Sequence, residues 1–309
     1  MQTKIPEWLL ELIDNQSVTD ILLSSESCLI DSGSGLTKLP DYHLAESKLE
    51  QLARELIEFG GRRLDHANPF ADVCLPGGLR VHAVLKSGCS EQTQIAIRLH
   101  NPKVKNLDEL LQGPFATRSQ RDQIRQIVES GESFLIAGAT GSGKTTLLKA
   151  MLLATNQRVI AVEDVTELNH ENIICLQTRT KNIEGQGEIT LDQLVRESLR
   201  MRPDRLVVGE VRGVELISML QALNTGHRGA TTIHANSLSQ VPERLATINA
   251  TSGVSENAFM RMVVSAFDWV IALHCQNGIR SIAGIGKFGI HESQLQVFEQ
   301  QPEKKLALA

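Results

Sequence analysis

The sequence predicts a two-domain α/β protein, with a small α+β domain preceding a mainly parallel sheet covered by helices. Three observations carry that expectation. At 309 residues the chain has room for two domains of about 150 residues, each able to bury a core. Its hydrophobic periodicity changes near residue 115, from two-residue alternation to strands and helices in turn. A glycine-rich stretch, Gly138 to Thr145, stands between a short apolar run and a helix-forming one.

Composition removes several classes. With 41% hydrophobic and 22% charged residues the chain is globular, neither disordered nor fibrous. Thirty-one Lys and Arg against 36 Asp and Glu give a net charge of -5, which opposes tight nonspecific binding to nucleic acid over the whole surface. The five cysteines, Cys28, Cys74, Cys89, Cys175 and Cys275, are odd in number and far apart. That excludes a disulfide framework and a paired-cysteine metal or redox site, so they read as buried free thiols. Residues 1–13 carry Glu7, Glu11 and one basic residue, Lys4, with no long apolar core, and do not read as a signal peptide. The longest membrane candidate, residues 263–273, is interrupted by Ser265 and Asp268. It falls short of the roughly 18 apolar residues that cross a bilayer, so the chain is expected to be soluble.

The first domain shows both periods. Leu52, Leu56 and Phe59 recur at helical spacing from Leu49 onward, and Gly60-Gly61 stops that helix. Residues 70–75 and 79–85 flank Pro76-Gly77-Gly78, which is hairpin chemistry, and Leu79, Val81, Ala83 and Leu85 alternate with Arg80 and His82. A further strand, residues 94–99, sets Ile95, Ile97 and Leu99 against Arg98. Two strands thus each carry an arginine on a polar face. Pro102, Gly113 and Pro114 surround one short helix at 107–112, and place the domain border near 115, giving domains 1–115 and 116–309.

Beyond the border, Ser119 with Asp122 is expected to open a helix that Gly131 closes, and residues 133–137 form a short buried strand. A helix at 144–154 and strands at 158–162 and 173–177 follow. Thr190, with Gln193 as capping partner, opens a helix that turns Leu191, Leu194, Val195 and Leu199 inward. Strand 205–208, helix 214–223 and strand 229–233 complete the alternation, which implies parallel strands with crossover helices. Residues 240–266 read as helices and 269–285 as two more strands.

The chemistry is concentrated in Gly138, Ala139, Thr140, Gly141, Ser142, Gly143, Lys144 and Thr145, which fit the phosphate-loop pattern in its strand-to-helix context, with Thr146 next in the helix. Glycines let backbone amides curl round phosphate oxygens, and the helix N-terminus adds its positive end. Lys144 neutralises the β- and γ-phosphates, and the Thr145 hydroxyl ligates Mg²⁺. The apolar strand 205–208 leads through Gly209 to Glu210, which reaches the metal through water or orients the attacking water. Strand 158–162 ends in Glu163-Asp164, so Glu163, Asp164 and Glu210 are expected to share a crevice at the strand C-terminal ends. Glu163 is the alternative base and metal ligand. His234 ends strand 229–233 and is placed to sense the γ-phosphate.

The runs 178–188 (TRTKNIEGQGE), 194–213 (LVRESLRMRPDRLVVGEVRG) and 220–237 (LQALNTGHRGATTIHANS) resemble the CpaF/TadA branch of the type II/IV secretion and pilus ATPases. The phosphate loop, Glu163-Asp164, Glu210 and His234 stand in that superfamily's order. The resemblance implies a RecA-like P-loop NTPase domain behind a smaller α+β domain, ATP and Mg²⁺ as ligands, and arginines matching Arg80 and Arg98 that reach over the bound phosphates. It further implies a homo-oligomer, a hexamer, seated at the cytoplasmic face of the bacterial inner membrane against a platform protein of a pilus or secretion machine. No stable nucleic-acid partner is expected. Two other functions fit a phosphate loop, a nonhydrolytic nucleotide-binding scaffold and a DNA-translocating ATPase. The N-K-x-D motif of GTPases and the L-S-G-G-Q motif of ABC subunits do not occur.

Overall fold

The computed structural model describes residues 5–15, 17–32, 35–75, 78–87, 90–99, 106–179 and 186–300. The chain divides into two compact units, Met1–Lys103 and Val104–Ala309. The border expected near 115 therefore moves upstream. Leu107, Leu111 and Phe115, read as linker, are buried in the core of the second unit and belong to it.

The first unit consists of helix α1 (Glu7–Asp14), strands β1 (Asp20–Leu23), β2 (Cys28–Asp31) and β3 (Leu36–Lys38), helix α2 (Glu46–Phe59), and strands β4 (Phe70–Leu75), β5 (Leu79–Val84) and β6 (Gln94–Arg98). The six strands form one antiparallel sheet in the order β3-β2-β1-β6-β5-β4. Alternation decides its faces. Ile21, Val73, Val81, Ala83, Ile95 and Ile97 turn inward onto Leu49, Leu52, Leu56 and Ile57 of α2. The two glycines that end α2 act differently. A Cβ on Gly60 would lie 2.3 Å from the Cβ of Val73, so it permits close approach to β4, whereas Gly61 supplies a φ of +79°. Pro76 and Gly77 of the expected hairpin turn lie outside the described residues. The sequence reading missed α1 and β1 to β3; the strands run only three or four residues, too short to show a period.

The second unit runs α3 (Leu107–Leu110), α4 (Arg118–Ser130), β7 (Phe134–Ala137), α5 (Lys144–Leu153), β8 (Val159–Glu163), β9 (Ile173–Gln177), α6 (Leu191–Ser198), β10 (Arg205–Val208), α7 (Glu215–Asn224), β11 (Arg228–Ile233), α8 (Val241–Asn249), α9 (Glu256–Ala266), β12 (Trp269–Gln276), β13 (Ile279–His291) and β14 (Gln294–Glu299). Its sheet has the order β14-β13-β12-β7-β11-β10-β8-β9, parallel from β12 to β9, with β13 and β14 added antiparallel. Successive residues of β7 serve opposite cores. Phe134 and Ile136 pack with α4 and α5, and Leu135 and Ala137 pack on the side of α6 to α9.

Helix α4 is capped two residues earlier than its Ser119 suggests. Thr117 has extended backbone (φ -66°, ψ 163°), its hydroxyl accepts from Gln120 N, and the Gln120 side chain returns the bond. Gly131, in left-handed conformation, ends the helix, and the Thr190–Gln193 capping box of α6 is present as read from sequence. Strand β14 was not anticipated. Of the described cysteines only Cys28 is fully buried, and Cys275 is exposed, so the expectation of buried thiols fails there. At the N-terminal edge of the sheet the buried Arg205 side chain donates to Gln157 Oε1 and to the carbonyls of Gly131, Glu132 and Gly229, and lies over the Phe134 ring. Burial pulls its pKa down to about 10. The functional groups gather at the opposite edge.

Candidate functional site

Strand β7 is fully buried and stops at Gly138, and α5 starts at Lys144 behind Gly143. Between them Gly141 (φ +76°) and Gly143 (φ +96°) hold left-handed backbone that favours glycine. Gly138 serves a different need, because a Cβ there would lie 2.3 Å from Ser142 Oγ. Ala139, Thr140 and Thr146 are exposed, and Thr145 is half-buried. The first-turn amides of α5 have no partner within the helix and point out of its N-terminus beside this loop. The donor set thus fits a phosphate group. Among the described residues no group of three or more His, Cys, Asp or Glu is arranged to hold a metal. One hydroxyl is nonetheless a sufficient protein ligand for a Mg²⁺ that keeps waters and phosphate oxygens.

Strands β7, β11 and β10 are neighbours, with Ile233 beside Ala137 and Val208 beside Thr231. This register brings Gly138, His234 and Glu210 to one edge. The Lys144 ammonium donates to Gly138 O at 2.9 Å and Ala139 O at 3.1 Å, and lies 3.1 Å from His234 Nδ1. His234 Nε2 stands 3.0 Å from Glu210 Oε1. Since Lys144 can only donate, Nδ1 accepts and the Nε2 proton faces Glu210. Burial and the Lys144 charge push the His234 pKa down, which keeps the ring in this neutral form. Burial also lowers Lys144, opposed by Glu210 and Glu167.

Arg212 completes the chain. Its Nε and Nη2 donate to the two oxygens of Glu210 at 2.9 and 2.8 Å, a bidentate pair. Burial pushes the Glu210 carboxyl up, but Arg212, His234 and Lys144 together outweigh it and hold the group below its usual range. The turn that aims Arg212 is fixed by Glu215, whose carboxylate accepts from the amides of Arg212 and Gly213. Sequence reasoning missed Arg212 as a site residue. Its only signal was a basic residue two places after a strand-end glutamate.

Glu163 does not join this chain. It is 4% exposed, and its carboxylate accepts from the amides of Glu167 at 3.1 Å and Leu168 at 3.2 Å. Burial raises its pKa to about 7 against those two bonds. Gly209 makes room for it, since a Cβ there would lie 2.9 Å from Glu163 Cγ. Asp164 is exposed and accepts from the Thr178 hydroxyl. Among the described residues no hydrogen bond or ion pair links Glu163 or Asp164 to Lys144, His234 or Glu210. Of the three carboxylates Glu210 is the one bonded into the lysine chain among the described residues, while the charge of Asp164 helps raise the pKa of Arg212.

Arg80 and Arg98 are brought together on the outer face of the first unit, directly opposite each other in the β5–β6 register. Arg98 Nε lies 2.9 Å from Asp20, and Arg80 Nε lies 3.6 Å from Asp72. Both side chains are about half exposed, at 50% and 58%.

A parallel sheet with a glycine loop between strand and helix, a loop lysine and a carboxylate on a neighbouring strand end defines a RecA-like phosphate-loop NTPase. The chain belongs to the family described as Type II/IV secretion system protein, which matches residues 11–298. A Mycobacterium tuberculosis protein provisionally named for conjugal transfer is 37% identical over 300 residues, covering 92% of this chain and 85% of that one. Among solved structures, the pilus retraction motor PilT with bound ADP shares the fold at a TM-score of 0.64 and 19% identity, over 96% of this chain and 82% of that one. The Legionella pneumophila ATPase DotB shares it at 0.59 and 21%, over 94% and 78%. The family membership makes this chain a type II/IV secretion system protein. Among the described residues no helix is long and apolar enough to cross a membrane.

Proposed function

We propose that the chain is a ring-forming ATPase, a homohexamer, that hydrolyses Mg²⁺-ATP to ADP and phosphate and works against a membrane-embedded platform protein at the cytoplasmic face of the bacterial inner membrane. The observation that supports this best is the unbroken chain Lys144–His234–Glu210–Arg212 beside the glycine loop, which couples the phosphate-binding lysine to a carboxylate. In this reading the amides of Gly138 to Lys144 cradle the β-phosphate, and the Ala139 and Thr140 crest and the Thr146 amide border it. Lys144 moves from the loop carbonyls to the phosphates, and Thr145 holds the metal. When bound, Mg²⁺ supplies charge neutralisation at the β- and γ-oxygens.

His234, released by Lys144, then carries news of the γ-phosphate to Glu210. Glu210 orients the attacking water. Phosphoryl transfer needs only a weak proton acceptor, so a carboxylate held below its usual pKa is adequate. Glu163, buried and near neutrality, is the alternative base, but it must leave its two amide donors to act. Arg80 and Arg98 supply charge to the transferring phosphoryl group. Relatives are named for conjugal transfer and for type IV secretion, and the PilT likeness brings in pilus retraction. We infer a machine of that kind and no stable nucleic-acid partner for a chain of net charge -5.

The reading is tested by titrating a fluorescent ATP analogue against the full chain and Lys144→Ala, with native mass measured in parallel. Wild type is expected to bind, and loss of the lysine to weaken binding roughly 10- to 100-fold, as for a buried charge-assisted contact. Nucleotide is expected to shift the mass toward a hexamer. Equal binding by the two proteins sinks the site.

A further inference from the structure

The β12–β13 hairpin, which the proposed chemistry leaves unused, runs beside the phosphate loop. Strand β12 pairs with β7 up to Ala272 opposite Ala137, and a Cβ on Gly138 would meet Leu273 O at 3.2 Å. The strands turn at Asn277 and Gly278, both with positive φ, so Arg280 stands opposite Cys275 near the hairpin tip. From there its Nε donates to the carbonyl of Gly141 at 2.9 Å. Its Cδ lies close against the loop as well, 3.3 Å from where a Cβ on Gly143 would stand. The side chain is exposed, and no other hydrogen bond or ion pair engages it among the described residues.

An exposed arginine with one hydrogen bond contributes little to folding. Its direction is informative. In a trans peptide the C=O and the following N–H point in opposite senses. Holding the Gly141 carbonyl outward therefore turns the Ser142 N–H toward the loop interior, where it donates to Ala139 O at 3.3 Å, the same carbonyl that accepts from Lys144 and that both donors would exchange for phosphate oxygens. A loop that binds phosphate needs its amides inward and its carbonyls outward. Gly141 is free to flip that peptide, because glycine has no Cβ to fix its backbone.

We propose that Arg280 is a positioning residue of the nucleotide site: it pins the Gly141–Ser142 peptide with its N–H toward the phosphates and adds positive charge to the loop's outer side. The inference rests on the nucleotide reading above. A fluorescent ADP analogue is titrated against the full chain as wild type, Arg280→Ala, Arg280→Lys and Lys144→Ala, with unliganded melting temperatures and ATP turnover measured beside it. Arg280→Ala is expected to bind roughly tenfold more weakly, the scale of one charge-assisted hydrogen bond, at an unchanged melting temperature. The loss should fall on KM more than on kcat, and Arg280→Lys should recover most of it by keeping a charged donor. Wild-type affinity in Arg280→Ala beside a weakened Lys144→Ala overturns this inference alone. A fall in affinity that merely tracks a fall in melting temperature overturns it too. Equal binding by wild type and Lys144→Ala overturns the nucleotide reading and the inference with it.

Discussion

The two units treat their cations in opposite ways. In the second unit donors and acceptors alternate, so that Lys144, His234, Glu210 and Arg212 satisfy one another within hydrogen-bond distance. In the first, Arg80 and Arg98 occupy directly opposed positions on neighbouring strands, half exposed, each with an aspartate to one side. Like charges so placed cost stability. The internal chain is a site that can rest closed on itself, whereas the arginine pair lies on a half-exposed face with each arginine beside one aspartate.

Removing the arginines should therefore separate function from folding. With Arg80→Ala and Arg98→Ala combined, the account expects ATP turnover to fall roughly 10²- to 10³-fold, the range for losing preorganised charge donors. The melting temperature should stay roughly level, since the repulsion between the arginines and their two exposed ion pairs to Asp20 and Asp72 go together. A double variant that unfolds while keeping its turnover per folded molecule would reverse the contrast.

A smaller effect sharpens the other side of the comparison. Glu163 has a folded-state pKa of about 7, above the ordinary 4.5, so folding favours its protonated form. The stability this group contributes is fully present below pH 4.5 and is lost as pH rises through 7. Glu163→Gln keeps an acceptor for the Glu167 and Leu168 amides without the charge. It should be more stable than wild type at pH 8, by roughly 3 kcal/mol on the scale of the shift, and equal to it at pH 4. Denaturant melts at the two pH values decide this. Equal stability at pH 8 would mean that the carboxylate is solvated, and that the division between Glu163 and Glu210 is wrong.

Much of this was legible beforehand, for reasons that differ by residue. The glycine loop, Lys144, Glu210 and His234 announce themselves because each sits at the end of a short apolar run, and strand ends in a parallel sheet share one edge. Arg80 and Arg98 show in the alternation of their strands, yet their direct opposition depends on the β5–β6 register, which lies in pairing and not in pattern. Arg212 was invisible because its aim is set by a local turn held by the Glu215 carboxylate, a contact that hydrophobic pattern does not carry. The inward fold of Glu163 likewise depends on the space left by Gly209, a residue on the adjacent strand's end. Strands β1 to β3 escaped because only their neighbours stabilise segments of three or four residues.

The most direct test of the central claim, that Glu210 turns a phosphate-binding loop into a hydrolytic site, is steady-state phosphate release by wild type and Glu210→Gln at saturating Mg²⁺-ATP. The account predicts measurable turnover by wild type and a roughly 10²- to 10⁴-fold lower rate for the variant, the span of a positioned acid–base group, with nucleotide affinity retained. Equal release by the two proteins would contradict it.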